Sequence, residues 1–167
     1  MVTEFNGSMN GEGLKIGIVT SRFSGEPCDR LLASAIQRLE ELGVSNTDIT
    51  TASVPGAYEI PRVVREMVDG RPDNFDAVIT LGCVIRGETP HFDFVAGPCA
   101  DALMKIQCDY NAFNKLCPPI IFGVLTTDNR EQAMARSGGD HSDKGRDCAE
   151  AAVEMANLIQ SMGGSDR

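Results

Sequence analysis

Three short stretches of the chain are apolar at nearly every position and are bounded by turn-forming residues. They are residues 15–20 (KIGIVT), 75–81 (FDAVITL) and 120–125 (IIFGVL). Continuous apolar runs of this length, rich in β-branched residues, predict strands that are buried on both faces. A further strand, weaker in composition, is predicted over residues 49–54 (ITTASV).

Between these strands the apolar residues recur with the period of a helix. The first helical face is formed by Cys28, Leu31, Leu32, Ala35, Leu39 and Leu42. Pro27 suits the first turn of that helix, and Gly43 suits its C-terminal cap. Four further helices are predicted. One ends near residue 70, and two cover residues 94–107 and 129–136. The last carries Cys148, Ala152, Met155 and Ile159 on one face. Pro98 is expected in the first turn of the 94–107 helix or at a kink in it.

Strands and helices therefore alternate along the chain, which is typical of a parallel sheet covered by helices on both faces. Because crossovers between parallel strands are right-handed, few topologies fit such a pattern. The sequence predicts an α/β protein of the flavodoxin-like class, a three-layer sandwich with a four-stranded parallel sheet flanked by helices. Residues 14–162 are predicted to form this single domain, preceded by a flexible, Gly-rich N-terminal tail over residues 1–13.

The charge of the chain narrows the range of partners. It has 24 acidic and 15 basic side chains, so its net charge is -9. Binding to nucleic acids and to anionic membranes depends on clustered lysine and arginine, and we exclude both as the main function. No apolar run approaches the roughly 20 residues of a membrane span, and the N-terminus lacks the regions of a signal peptide. We therefore expect a cytoplasmic protein, or a plastid protein if the sequence derives from a processed eukaryotic precursor.

The six cysteines and two histidines are the residues most suited to metal binding. They contain no CxxC pair and no Cys/His pair at the spacing of metal ligands, so no metal site is expected. The cysteines are interpreted as small buried hydrophobes in a reducing compartment. The sequence also lacks the dinucleotide fingerprint and the phosphate loop of nucleotide-binding proteins, and no cofactor is expected. Acid–base groups and substrate positioning must then carry any reaction.

In an open parallel sheet, ligands bind at the carboxyl ends of the strands, in the loops that lead to helices. Each of the predicted strand ends carries an aromatic ring or a group suited to proton transfer or anion binding. These residues are Phe23 and Ser24 after the first strand, Tyr58 and Glu59 after the second, Arg86 to His91 after the third, and Phe122, Thr126 and Thr127 at the end of the fourth. Phe23 and Tyr58 offer a stacking surface for a flat heterocycle. His91 can transfer protons near neutral pH, and the segment around Thr89 can bind phosphate.

Each of these residues also has a purely structural interpretation. The aromatic rings can pack between a loop and a helix, and Glu59 can interact with a helix N-terminus. His91 can cap the start of a helix, and Arg86 can serve as a surface ion-pair partner. Arg136 and Lys144, which flank a Gly-rich turn, can bind phosphate or interact with helix C-termini. The loops taken together, and no single one of them, favour a ligand site.

The same loops carry motifs that closely resemble those of one enzyme family. The motifs are GIVTSRF (17–23), VPGAYEIP (54–61), DAVITLGCVIRGETPHFDFV (76–95), PIIFGVLTTDNREQAMARSG (119–138) and KGRDCAEAAVEMANL (144–158). They occur in the family's order and cover nearly the whole chain from residue 15 to residue 160. By this resemblance the chain is identified as a member of the 6,7-dimethyl-8-ribityllumazine synthase family, which acts in the penultimate step of riboflavin biosynthesis.

The resemblance implies a cofactor-free reaction between 5-amino-6-(D-ribitylamino)uracil and 3,4-dihydroxy-2-butanone 4-phosphate. Imine formation, loss of phosphate and ring closure give 6,7-dimethyl-8-ribityllumazine, phosphate and water. Two alternatives are open, a protein that binds riboflavin or a lumazine without turnover and a shell protein with a vestigial site. Product formation from both substrates separates the enzyme from these alternatives.

The family's functional residues correspond to positions in these motifs. The resemblance implies that His91 transfers protons and that Phe23 stacks on the pyrimidine. The pyrimidine and the ribityl chain are further assigned to Ala57, Tyr58, Glu59, Cys83, Val84, Ile85, Phe122 and Lys144. The phosphate is assigned to Glu88, Thr89 and Arg136.

The resemblance also implies a homo-oligomer, a pentamer that in some members assembles into a 60-subunit shell. Each active site then lies between two subunits, with Phe122 supplied by the neighbour, and riboflavin synthase is a further candidate partner. The N-terminal segment is expected to become ordered by adding a strand to a neighbouring sheet. The chain departs from the family pattern at Ser24, Tyr58 and Asp140, at Gly97-Pro98 and in a longer connection over residues 108–118.

Overall fold

The computed structural model describes residues 1–108, 117–139 and 141–163. Within them, one sheet is formed by β1 (Ile16–Ser21), β2 (Ile49–Val54), β3 (Ala77–Ile85) and β4 (Ile120–Thr127). The helices are α1 (Glu26–Glu41), α2 (Ile60–Val68), α3 (His91–Cys108), α4 (Arg130–Arg136) and α5 (Lys144–Gly163). Short 3₁₀ turns at Asn46–Asp48 and Ala57–Glu59 precede β2 and α2.

The sheet is parallel throughout and has the strand order β2-β1-β3-β4. β1 and β3 are therefore central, whereas β2 and β4 form the edges. Ile16 in β1 lies between Ile49 of β2 and Ala77 of β3, so the amino ends of these strands are level. This arrangement confirms the predicted flavodoxin-like three-layer sandwich.

Two apolar cores lie on opposite faces of the sheet. On one face, Ile79 and Leu81 of β3 pack with residues of α1 and α5 such as Val153. On the other face, Val78 packs with residues of α2 and α3 such as Cys99. Each fully buried aliphatic side chain contributes roughly 1.5–3 kcal/mol to folding. Because helices cover both faces, a ligand reaches the sheet at the strand ends or at its edges.

Three elements are longer than the sequence pattern predicted, and the simplest case is β4, which continues past residue 125 to Thr127. β3 continues past residue 81 to Ile85, although Gly82 interrupts its apolar run. A glycine fits there because a Cβ atom on Gly82 would lie 2.8 Å from Ser21 Oγ of the adjacent strand. α3 begins at His91 instead of residue 94, and Pro98 therefore lies inside the helix and not in its first turn.

The N-terminal residues contact the body of the domain. The side-chain amide of Asn157 on α5 donates hydrogen bonds to the carbonyls of Ser8 at 3.0 Å and Asn10 at 2.9 Å. The Gly11 N–H donates to the carbonyl of Leu42 at 2.8 Å. The flexibility of residues 1–13, the domain boundary at residue 14 and the pairing of the tail with a neighbouring sheet stay predictions.

The cysteines do not all follow the sequence interpretation. Four of them are buried, namely Cys28, Cys83, Cys99 and Cys148. Cys108 is exposed and Cys117 is half-buried, so the interpretation as buried hydrophobes is wrong for these two. Asp140 and most of the 108–118 connection lie outside the described residues.

Candidate active site

The carboxyl ends of three neighbouring strands bring three of the predicted loops side by side. The end of β1 lies between the ends of β2 and β3, so the loop of Phe23 lies between those of Tyr58 and Thr89. The side chain of Phe23 is 89% exposed and that of Tyr58 is 63% exposed. Apolar ring surface in water is unfavourable, and two such rings on adjacent loops therefore indicate a surface that a ligand covers.

The loop after β1 is held by hydrogen bonds to three other elements. The Arg22 N–H donates to the carbonyl of Val54, the last residue of β2, at 3.1 Å. Ser24 Oγ donates to the carbonyl of Cys83 in β3 at 2.6 Å, and Arg130 Nη1 donates to the carbonyl of Ser24 at 3.2 Å. The backbone of the loop is thus fixed, while the ring of Phe23 stays in solvent.

The loop after β2 forms a tight turn that leads into α2. The Gly56 N–H donates to Glu59 Oε2 at 2.9 Å, so the carboxylate caps the turn as its structural interpretation expected. Ala57 is buried, which anchors the turn against the core, and the neighbouring Tyr58 projects outward. The turn therefore presents a phenol ring from a rigid backbone.

The last residues of β3 extend beyond their partner strand. Pairing between β1 and β3 ends at Leu81, whereas pairing between β3 and β4 continues to Ile85. Over residues 83–85 the backbone edge on the β1 side therefore faces the loop of Ser24 and not another strand. Such an edge can exchange hydrogen bonds with the amide-like groups of a planar ring. Burial raises the pKa of the Cys83 thiol to about 11, so this side chain is protonated at neutral pH and is not a nucleophile there.

The loop after β3 places a hydroxyl group next to the backbone of a histidine at the start of a helix. Glu88, Thr89 and His91 are all exposed, and His91 is the first residue of α3. The His91 N–H lies 3.5 Å from Thr89 Oγ1. The start of a helix favours anions because its N–H groups carry partial positive charge. The loop therefore suits a phosphate next to a group that can transfer protons.

Phe122 lies away from these loops. It is in β4 opposite Thr80, five residues before the end of the strand at Thr127, and the prediction that it lies at the end of the fourth strand is wrong. Phe122 is level with Val19 of β1, two strands away and four residues, or about 13 Å, before Phe23, so the two rings are not brought together within one chain. Phe122 is 41% exposed on the open edge of the sheet. It borders an apolar pocket that is also lined by Ala100, Leu103, Met104, Gln107 and Ile120.

Arg136 and Lys144 flank the turn between α4 and α5, as predicted. Arg136 is the last residue of α4, and its Nη1 donates to the carbonyl of Gln132 in the same helix at 3.1 Å. The place of Arg136 in the last turn of α4 agrees with the structural interpretation, in which a cation interacts with a helix C-terminus. Lys144 is half-buried at the start of α5. Phosphate binding by Arg136 and substrate binding by Lys144 stay predictions.

Within residues 1–108, 117–139 and 141–163, no group of three or more His, Cys, Asp or Glu side chains could hold a metal ion. In the same residues, no helix is long and apolar enough to cross a bilayer.

Burial also raises the pKa of the Cys99 and Cys148 thiols to about 11, which keeps both protonated at neutral pH.

The sequence analysis missed Arg130. This residue opens α4, and its guanidinium contacts both the Ser24 carbonyl and, at 3.5 Å, the carboxylate of Glu26. A cation in the first turn of a helix is unfavourable to the helix dipole. The guanidinium of Arg130 lies in this unfavourable position, directly after the Asn129 cap. That position was the signal that could have identified Arg130 as a contact of the Phe23 loop.

Comparison with known proteins agrees with these features. The chain matches the family model for 6,7-dimethyl-8-ribityllumazine synthase over residues 13–160. It is 46% identical over 159 residues to the protein of that name from Azoarcus sp. (strain BH72), covering 95% of this chain and 94% of the relative. It is 44% identical to the one from Laribacter hongkongensis, with 94% of each chain covered. For the one from Cupriavidus necator the identity is 43%, with 93% of this chain and 86% of the relative covered.

The fold defines a flavodoxin-like α/β protein whose candidate ligand-binding loops lie at the carboxyl ends of the strands. The extent of the matches shows that the chain belongs to the 6,7-dimethyl-8-ribityllumazine synthase family. The chain is therefore an enzyme, a transferase of riboflavin biosynthesis, and the identification from its motifs is confirmed.

Proposed function

We propose that the chain condenses 5-amino-6-(D-ribitylamino)uracil with 3,4-dihydroxy-2-butanone 4-phosphate to give 6,7-dimethyl-8-ribityllumazine, phosphate and water. The observation that supports this most is the pair of exposed rings, Phe23 and Tyr58, beside the loop of Thr89 and His91. One substrate is a flat heterocycle with a hydroxylated chain, and the other carries a phosphate. The three loops offer a group for each of these features.

The pyrimidine substrate occupies the surface between the loops after β1 and β2. Its ring stacks on Phe23 and bonds to the backbone edge of residues 83–85. Its ribityl chain runs past Ala57, Tyr58 and Glu59, whose turn is already fixed by the Gly56–Glu59 hydrogen bond. Because the loops are rigid before binding, little conformational entropy is lost when the ring enters.

The phosphate of the second substrate lies at the start of α3. Thr89 supplies its hydroxyl, and the helix N-terminus supplies a favourable dipole. Glu88 contributes through its backbone, since its carboxylate would repel the phosphate. Arg136 adds a bidentate cation, and Lys144 lies close to the bound substrates.

Proton transfer and positioning carry the chemistry. The 5-amino group attacks the ketone to form an imine with loss of one water, and loss of phosphate leaves an enol that tautomerises to a ketone. The ribitylamino nitrogen then closes the ring on that ketone with loss of a second water. His91 moves protons during these steps, which typically contributes about 10²–10⁴-fold to the rate. Holding the two substrates together contributes roughly a further 7–11 kcal/mol.

The position of Phe122 supports a homo-oligomer in which two subunits share each active site. This ring lies about 16 Å short of the carboxyl edge on the open side of β4, where it suits a neighbour's site better than its own. Mixing His91→Ala with Phe122→Ala subunits tests the sharing. In a ring assembled at random, about a quarter of the interfaces combine both intact residues, so activity returns above that of either variant. Without a gain on mixing, the site is not shared. Pentamer size, the 60-subunit shell, riboflavin synthase as a partner and the cytoplasmic location stay predictions.

The activity itself is tested by a cofactor-free assay with both substrates, in which the lumazine is followed by its absorbance and fluorescence. We expect product above the uncatalysed rate, and none when the phosphate substrate is omitted. Tight binding of riboflavin or a ribityl analogue without turnover would instead identify a carrier.

A further inference from the structure

Arg86 lies at the junction of the segments on which the candidate site depends. Its N–H donates to the carbonyl of Thr127 at 2.8 Å, directly after the last residue of β3. Its guanidinium carbon lies 4.1 Å from the ring centroid of Phe92. Guanidinium nitrogens also lie 3.5 Å from a carboxylate oxygen of Asp93 and 3.5 Å from one of Asp128.

These contacts join the first turn of α3 to the end of β4. Phe92 and Asp93 directly follow His91 in the helix, and Asp128 directly follows β4. A planar guanidinium can stack on a ring with its face while its edge interacts with carboxylates. One side chain therefore contacts both the first turn of α3 and the residue that follows β4.

The loop between β3 and α3 has few contacts of its own. Glu88 and Thr89 are exposed, and a Cβ atom on Gly87 would meet nothing within 4 Å. The hydrogen bond from the backbone N–H of His91 to Thr89 Oγ1 is long at 3.5 Å. The orientation of His91 is thus set largely from the ends of the loop, and Arg86 contacts both ends.

We propose that Arg86 is a positioning residue, which orients His91 by holding the first turn of α3 against the end of β4. The proposal rests on the proposed function, in which His91 transfers protons. It differs from a role of Arg86 as a direct phosphate ligand. The two carboxylates beside the guanidinium, Asp93 and Asp128, would compete with a phosphate for it.

Steady-state kinetics of Arg86→Gln and Asp128→Asn separate these two roles. A displacement of about 1 Å at a catalytic group can cost about 100-fold in rate, so we expect kcat of Arg86→Gln to fall about 10- to 100-fold. We expect KM for the phosphate substrate to change by less than about threefold. Asp128→Asn should lower kcat in the same direction by a smaller factor, and the double variant should be no slower than Arg86→Gln.

A direct phosphate ligand predicts the opposite pattern. Arg86→Gln would then raise KM for the phosphate substrate more than about tenfold with little change in kcat. Asp128→Asn would lower that KM, because a competing carboxylate is removed. Either result would overturn the positioning role. Since the carboxylate of Asp128 is 73% exposed, this variant is expected to fold even where Arg86→Gln does not.

A second readout does not depend on turnover. Hydrogen exchange of the peptide over residues 86–96, measured by mass spectrometry, should be faster in Arg86→Gln than in the unmodified enzyme. Arg146→Gln is the matched control, since Arg146 has the same 44% side-chain exposure and pairs with Glu41 and Glu150 on the opposite face. If exchange is faster in Arg86→Gln but the unmodified enzyme forms no lumazine, the proposed function is refuted. Arg86 would then still be the residue that anchors α3. Unchanged exchange would refute the anchoring itself.

Discussion

The two ends of the sheet use their polar groups in opposite ways. At the amino end, Asp76 Oδ2 accepts the Lys15 N–H at 2.8 Å, and Asp76 Oδ1 accepts the side-chain amide of Gln160 at 3.2 Å. The Lys15 ammonium pairs with Asp73 at 2.7 Å, and Leu14 closes the core beside it. Polar groups at this end bind one another, which leaves little for a ligand.

At the carboxyl end, the side chains are presented to solvent, and the backbone beneath Phe23 and Tyr58 is held by hydrogen bonds. Phe23 and Tyr58 are exposed rings, and His91 is exposed at a helix start, while the loop beneath Phe23 is fixed by Ser24. The hydrogen bonds at this end hold the backbone of the loops. They leave the groups that could bind substrate available to a ligand. The difference indicates that stability depends mainly on one end of the sheet and activity on the other.

The largest effect on activity is expected for His91→Ala. Loss of proton transfer should lower kcat by about 10²–10⁴-fold, leaving a slow enzyme that still positions its substrates. Because the residue is exposed, the free energy of unfolding should change by no more than about 0.5 kcal/mol. His141→Ala, at the other of the two histidines, is the matched control for the kinetic assay and should leave kcat unchanged. An unchanged kcat in His91→Ala would remove His91 from the mechanism.

Phe23→Ala tests the binding surface at the same end. Stacking of a base on an aromatic ring contributes about 1–3 kcal/mol, so KM for the pyrimidine substrate should rise roughly 5- to 150-fold. Phe23→Tyr keeps the ring and should stay close to the unmodified enzyme. Equal loss in the two variants would show that the ring does not stack on the substrate.

Asp76→Ala tests the amino end, where we expect a loss of stability and little change in activity. Removal of the carboxylate leaves the Lys15 N–H and the Gln160 amide without this acceptor, which should cost about 1–3 kcal/mol of unfolding free energy. Urea denaturation at a fixed protein concentration measures that loss. The folded variant should retain kcat within about twofold. A large drop in kcat without a loss of stability would contradict the separation between the two ends.

The smallest effect is expected for Lys15→Met, and it depends on pH. The hydrogen bond between Lys15 and Asp73 lowers the pKa of Asp73 and raises the pKa of Lys15. The contribution of Asp73 to the free energy of unfolding is present above the pKa that Asp73 has in the unfolded chain, and it is lost as pH falls through the lowered pKa of the folded state. The contribution of Lys15 is present at lower pH and is lost as pH rises through the raised pKa of Lys15 in the folded state.

Lys15→Met should therefore lower the urea midpoint between about pH 5 and pH 9 and have no effect near pH 2. The double variant with Asp73→Asn should show the midpoint of Lys15→Met alone. A midpoint difference that persists unchanged at low pH would mean that the ion pair is not its source.

The fold was predictable where a strand is buried on both faces, because such a strand has a continuous apolar run in the sequence. The strand at 49–54 was predicted with its observed ends, and β1 was displaced by one residue. The end of β3 was missed because Gly82 serves close packing against Ser21 and does not mark a turn. The start of α3 was missed because residues 91–94 (HFDF) alternate between polar and apolar, which is not the apolar period of a helix.

The candidate site was predictable from the residue types and motifs of its loops, but its internal geometry was not. The Ser24–Cys83 hydrogen bond joins residues 59 apart in sequence, and the Arg130–Ser24 bond joins residues 106 apart. Contacts of this kind depend on the conformations of two loops at once, which no local pattern encodes. For the same reason, the ion pairs of Arg86 were expected only as a class, without their partners or the stacking on Phe92.

The most direct test of the account is a hydrogen-exchange footprint of the enzyme with and without 6,7-dimethyl-8-ribityllumazine and inorganic phosphate. We expect slower exchange in peptides over residues 22–26, 56–60 and 83–91, at the carboxyl end of the sheet. Peptides over 13–16 and 71–78, at the amino end, should exchange at the same rate in both states. Protection at the amino end, or protection that spares the Phe23 and His91 loops, would contradict the assignment of activity to the carboxyl end.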